Sequence, residues 1–153
     1  MSTETKNKVA ALAKDLSKDF PRSPRTTLGG YVVAARALDK CRAVLAGTND
    51  EYHFNCPLDN FFFDFTGIDG EVFKEFVATG ADDDAVAAWI QENSKVEDKR
   101  EIIAWNNKMR GLRPSEMPIE LQEFLEGYIP EFIPANKIVY VWFDVYDIEE
   151  KRI

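Results

Sequence analysis

Cys56 is the side chain of this sequence best suited to nucleophilic or redox chemistry. It lies in Glu51-Tyr52-His53-Phe54-Asn55-Cys56-Pro57-Leu58-Asp59, a stretch that also carries the only histidine. A thiol becomes reactive when a neighbouring imidazole or a helix N-terminus stabilises its anion. The stretch offers both: His53 stands three residues upstream, and a helix is predicted directly downstream. His53 reaches the thiol only if the loop curls back. The plain alternative is a buried thiol beside an ordinary loop or core histidine, because cysteine is among the most buried residue types. No Asn or Asp can be assigned from spacing as the third member of a triad.

A second group of residues points to anion binding. Arg36 and Lys40 are four apart, which puts them on one helical face, and Arg22 and Arg25 precede them. Gly29 and Gly30 would let an anion approach backbone N–H groups, as happens where helices begin. With Tyr52 across the gap, these residues outline a pocket for a small phosphate- or carboxylate-bearing molecule. Its walls would be the Gly29-Gly30 helix start and the loop from Tyr52 to Asp59. It is not a P-loop, since GxxxxGK[ST] is absent. The competing reading has Asp39 pairing with Arg36 or Arg42 along the helix, with the other charges solvated.

Metal chemistry has little to draw on. One histidine and two separated cysteines fall short of a zinc ligand set. Asp82-Asp83-Asp84 reads as a helix start that caps backbone N–H groups and offsets the dipole. Asp144 and Asp147 could hold a hard cation only with added waters. No cofactor is expected and no metal ligand is assigned.

These residues must be positioned by helices, which the hydrophobic spacing predicts along most of the chain. Val9, Leu12, Ala13 and Leu16 share one face of a first helix, stopped before Pro21. A second begins at Thr26 or Thr27, carries Tyr31, Ala34, Ala35, Leu38, Cys41 and Leu45 inward, and stops at Gly47. Gly29 and Gly30 fall in its first turn, at about 1 kcal/mol each, and suggest close packing there. Leu58 to Phe65 forms the third. Asp69 caps a fourth with Val72, Phe73, Phe76 and Val77 inward, and Asp82–Asp84 open a fifth with Val86, Trp89 and Ile90 inward.

Glu97 to Met109 and Ser115 to Tyr128 follow, the latter with Phe124 inward, and then a proline-containing loop over residues 129–136. The last segment, 137–148, is ambiguous: its β-branched and aromatic residues favour a strand. No second strand exists to pair with it, so it is assigned as a buried C-terminal helix. The fold expected is all-α, a compact single-domain bundle of about seven short helices over residues 1–153, with residues 1–6 as a flexible tail. Three consecutive phenylalanines, Phe61 to Phe63, cannot all face one side of a helix, so one or two should line a pocket or an interface.

The formal net charge is −8 over 153 residues. Nucleic acid and anionic membranes are therefore not expected as partners. The charge is lopsided: residues 1–47 carry nine Lys/Arg against four Asp/Glu, and residues 48–153 carry ten against twenty-three. A cationic patch on an acidic protein suits a small anion better than a polyanion. The first residues show no basic-then-apolar leader, and two isolated cysteines do not make a disulfide framework. Both observations lead to a cytoplasmic reading with reduced thiols.

Several blocks together carry a family resemblance: Phe20-Pro21-Arg22-Ser23-Pro24-Arg25, Leu28-Gly29-Gly30-Tyr31, Asp39-Lys40, Ala46-Gly47, the Glu51–Asp59 stretch, Thr66-Gly67-Ile68-Asp69 and Trp142-Phe143-Asp144. The chain resembles the bacterial proteins grouped as domain of unknown function 5069, from about Asp15 to its end. The resemblance implies a small stand-alone soluble domain and supplies no catalytic residues. From the residues themselves the leading expectation is a binding module for a small anionic ligand. A cysteine-dependent enzyme or redox protein using Cys56 is the alternative, and a protein–protein adaptor using exposed phenylalanines is a third.

Overall fold

α-Helices α1 (Thr3–Leu12), α2 (Ala34–Ala46), α3 (Pro57–Thr66), α4 (Gly70–Val77), α5 (Asp83–Asn93), α6 (Lys99–Arg110), α7 (Ile119–Phe132) and α8 (Trp142–Glu149) build an all-α fold in the computed structural model, which describes all 153 residues. A short 3-10 helix, Pro114–Glu116, precedes α7, and there is no strand. The chain divides into two compact units, Met1–Ile102 and Ile103–Ile153, with the boundary inside α6.

In the first unit α2 is the hub, touching α1, α3 and α4. Its first ten residues, Ala34 to Ala43, are all buried, charged ones included. The aromatic core lies beside it. Phe62 packs edge-on to Tyr31 (5.5 Å between ring centroids), and Phe63 meets Phe73 at 5.4 Å. Phe54 stacks on Phe73 at 6.0 Å, which ties the loop before α3 to α4. Of the three consecutive phenylalanines, Phe62 and Phe63 are buried and Phe61 is half-buried.

Several helix ends follow local signals. Asp69 accepts the Glu71 and Val72 N–H groups at the start of α4, and Asp82 accepts the Ala85 N–H at the start of α5. Gly47 and Gly67 close α2 and α3 in the left-handed conformation that glycine adopts without a Cβ penalty.

Elsewhere the structure corrects the expected boundaries. Residues 3–6, expected as a tail, form the first turn of α1, because Ser2 Oγ caps the Thr5 N–H. That helix ends at Leu12 instead of running to Phe20, and Leu16 is buried from the turn that follows. The helix expected from Thr26 or Thr27 begins only at Ala34. Gly29 and Gly30, with φ of 62° and 91°, form a two-residue turn that pairs Leu28 with Tyr31. Two central residues of positive φ are what such a tight turn requires. Val33, immediately before α2, also has a positive φ (73°) although buried and β-branched, a strained conformation. Val72 is exposed, not inward.

In the second unit α7 continues through Pro130 to Phe132, where a loop was expected. Pro130 sits in the last turns, and the carbonyl it leaves unpaired belongs to the exposed Glu126. Phe124, expected inward, is 59% exposed and stacks along the helix surface on Tyr128, which in turn meets Phe132. The final helix starts at Trp142; residues 137–141 are neither helix nor strand, and Ile138 is exposed. Asp144 Oδ2 accepts the Tyr140 and Val141 N–H groups, and Trp142 N donates to Leu112 O at 2.8 Å, which fix where α8 begins.

Candidate functional site

The loop from Glu51 to Cys56 ends as the N-cap of α3, with Pro57 at the first helical position. Pro57 has no N–H to leave unpaired there. Asn55 is left-handed (φ 65°), a conformation Asn tolerates better than most residues. Asp59, one turn on, reaches back so that its Oδ2 accepts the Asn55 N–H at 2.9 Å. Gly70 lies so close to Asn55 that a Cβ there would stand 2.7 Å from Asn55 Oδ1. Sequence and packing together therefore pin both flanks of Cys56, whose thiol is free and half-exposed.

The other oxygen of Asp59 faces Lys40 of α2, with Nζ 2.9 Å from Oδ1. Lys40 is 3% exposed and Asp59 is fully buried. The contact is an ion pair off the hydrogen-bonding directions, for Oδ1 accepts no hydrogen bond from the protein. Lys40 Nζ also lies 3.1 Å from Cys56 Sγ, within hydrogen-bonding reach. A buried ammonium is thus held by one carboxylate against one thiol. Cys41, the next residue along α2, is fully buried, and burial pushes its thiol up to about 12. The two cysteines differ in access: Cys56 is half-exposed and Cys41 is closed off.

A second charged group lies at the other polar side chains of α2. Arg22 grips Asp39 through Nε (3.0 Å to Oδ2) and Nη2 (3.0 Å to Oδ1), and its backbone N–H also donates to Oδ2. Such bidentate pairs are the strong ones. Arg22 Nη1 and Arg42 Nη1 each reach Asp83 at 2.8 Å. Burial raises the Asp83 carboxyl, but hydrogen bonds from the two guanidiniums outweigh it and hold the group below its usual range. For Arg22, burial acts downward and the Asp39 and Asp83 partners win, so its value is raised. Arg36 is buried, donates to Arg22 O at 3.2 Å, and lies 5.6 Å from the centroid of the Tyr52 ring as a cation–π contact.

The structure brings Arg22, Arg36 and Tyr52 together, and it brings Lys40 to Cys56. It takes Gly29 elsewhere. A Cβ on Gly29 would stand 3.1 Å from Ala87 O of α5, and Gln91 Nε2 donates to Gly29 O at 3.4 Å. The glycine pair therefore serves a turn packed on α5 and not a helix start. Arg25 is half-buried in a turn where its N–H meets Ser23 Oγ. His53 is exposed, and the position beside the thiol is taken by Lys40. Asp39 pairs with Arg22, seventeen residues upstream, in place of the helical neighbours expected for it.

The carboxylates of Asp82 and Asp83 are used for capping and for the guanidiniums; Asp144 caps α8, and Asp147 pairs with Arg152 at 3.1 Å. A recess of about 450 Å³ opens in the second unit beside Arg113, Gln122, Leu125, Ile129 and Tyr140. None of the residues singled out in the sequence lines it.

Two roles were not visible in the sequence. Asp59 is the counter-ion of Lys40. Lys40 was assigned to an anion, yet it faces a thiol. The available signal was the helix of Lys40 itself, where charged residues alternate with Ala, Leu and Cys in a segment lacking any purely polar face.

Over residues 18–152 the chain matches the family described as domain of unknown function (DUF5069), and it belongs to that family. No match is found among curated proteins.

Proposed function

We propose that this member of the family is a thiol redox protein whose working group is Cys56. The observation that carries the reading is the buried Lys40 ammonium 3.1 Å from the sulfur of a half-exposed thiol. A cation in contact with sulfur stabilises the anion that does chemistry. Burial of Lys40 keeps water from screening its charge on that side of the thiol. Cys56 also stands at the N-cap of α3, where the dipole favours negative charge.

The substrate class is a small hydroperoxide. The thiolate attacks one peroxide oxygen, an S–O bond forms, the O–O bond breaks, and the second oxygen leaves as an alcohol or water after taking a proton. Cys56 becomes a sulfenic acid and the peroxide is reduced. The cytoplasm is the compartment where such a thiol is kept reduced between turnovers, and both cysteines are free.

Treatment with one equivalent of hydrogen peroxide in the presence of dimedone tests the reading. The expected result is a dimedone adduct on Cys56, none on Cys41, and none in Cys56→Ser. Equal peroxide consumption by wild type and Cys56→Ser overturns it.

A small anionic ligand is the second proposal. Its support is the convergence of Arg22, Arg36 and Tyr52. It ranks below the thiol reading because Arg22 already has Asp39 and Asp83 as counter-ions. A thermal-shift screen against phosphorylated and carboxylated metabolites tests it. A shift that Arg36→Ala abolishes supports it, and no shift for any compound removes it.

A further inference from the structure

We infer that Lys40 is the residue that captures oxidised Cys56, closing a reversible sulfur–nitrogen cross-link between α2 and α3. The inference rests on the thiol reading above and adds a modification site to it. A cysteine at a helix start says little alone. The independent observation here is a lysine 97% buried, fixed by a fully buried carboxylate, and aimed at that sulfur. A 3.1 Å approach leaves little motion before bond formation.

The chemistry balances with hydrogen peroxide as the named oxidant. Cys56 thiolate is first oxidised to the sulfenic acid, as above, with loss of water from the peroxide. Lys40 then gives one ammonium proton to Asp59 Oδ1, 2.9 Å away, once a small turn of the ammonium aims an N–H at that oxygen. The neutral amine attacks sulfur, an S–N bond forms, the S–O bond breaks, hydroxide leaves as water after taking the proton from Asp59, and the nitrogen gives up its second proton to solvent. Amide nitrogens condense with sulfenic acids in the same way. The cross-linked protein is lighter than the reduced one by two hydrogens, and an added thiol restores the original pair by attack on sulfur. The cross-link protects Cys56 from irreversible oxidation and frees Asp59 from its ion pair, so the oxidised state has a different charge arrangement at the start of α3.

The test is mass spectrometry of the full chain after one equivalent of hydrogen peroxide, followed by tryptic mapping. Cys41→Ala is the key variant, because a Cys41–Cys56 disulfide would also remove two hydrogens. The expected result is loss of two hydrogens in both wild type and Cys41→Ala, with peptides 37–42 and 43–74 joined through Lys40 and Cys56 and separated by dithiothreitol. Lys40→Arg should instead accumulate the sulfenic acid. If dimedone labels Cys56 but no cross-link forms in Cys41→Ala, the capture fails and the thiol reading stands. If Cys56 shows neither label nor cross-link, both fail.

Discussion

Lys40 Nζ stands 3.1 Å from Cys56 Sγ, although the two residues lie on different helices and neither faces solvent freely. Asp59 makes the arrangement possible. One of its oxygens turns the chain back at Asn55, next to the thiol, and the other holds the ammonium in place. The same carboxylate therefore sets both members of the pair, and the first prediction concerns its energetics.

Lys40→Met removes the cation and leaves Asp59 charged and fully buried. Breaking a buried pair from one side costs about 3–5 kcal/mol. The double variant Lys40→Met/Asp59→Asn removes the stranded charge while keeping an acceptor for the Asn55 N–H, and should recover most of the loss. Urea unfolding of the three proteins measures this. A cost below about 1 kcal/mol for Lys40→Met, the scale of an exposed ion pair, would mean that the pair is wet.

Asp83 gives a pH signature. Its folded value lies below the usual 3.8 because of Arg22 and Arg42, against the upward pull of burial. A depressed carboxylate adds stability above its unfolded value, and that stability is lost as pH falls through the folded value. Asp83→Asn should therefore lower Tm at pH 7, with the gap closing at and below pH 3.8. The gap will be modest, since the side chain is 45% exposed and solvent screens it. A gap that widens on acidification contradicts the assignment.

The glycine pair separates packing from backbone strain. Both residues have positive φ, so alanine at either costs about 1–2 kcal/mol in conformation. Only Gly29 has a backbone neighbour in the way, Ala87 O at 3.1 Å, whereas a Cβ on Gly30 meets open space. Gly29→Ala should be the more destabilising of the two in chemical denaturation. Equal losses would remove the close approach to α5 as a reason for glycine there.

The surface of α7 should be tolerant. Phe124 is 59% exposed while Phe62 is completely buried. Phe62→Ala should cost about 3–5 kcal/mol, and Phe124→Ala about 0.5 kcal/mol or less. If Phe124→Ala alters the sedimentation behaviour of the protein without altering stability, its ring belongs to an interface.

What the sequence made legible was what is decided within a few residues. Asp69 and Asp82 cap helices because the donors they satisfy are two or three positions away, and Gly47 ends α2 for the same local reason. The all-α class follows from periodicity that packing then used. The start of α2 was misplaced because Thr26 and Thr27 are good N-caps in isolation, but the Gly29-Gly30 turn prevents a helix from passing through. The prolines of residues 129–136 suggest a loop, but a proline in the last turns of a helix, as Pro130 is, breaks little. Cys56 was visible as a candidate from its type, and Lys40 from its charge. Their pairing was not, because it depends on how α2 and α3 pack against each other, which no spacing within either helix encodes.

The central claim is that the fold activates Cys56, and the most direct measurement is its peptide-resolved alkylation rate with iodoacetamide at pH 7. The account predicts that Cys56 in the folded chain reacts at least about tenfold faster than the same cysteine in the unfolded chain, as thiols beside a cation do. Cys41, buried and pushed up to about 12, should remain unlabelled until the protein unfolds. A folded-state rate for Cys56 at or below its unfolded rate would contradict the account.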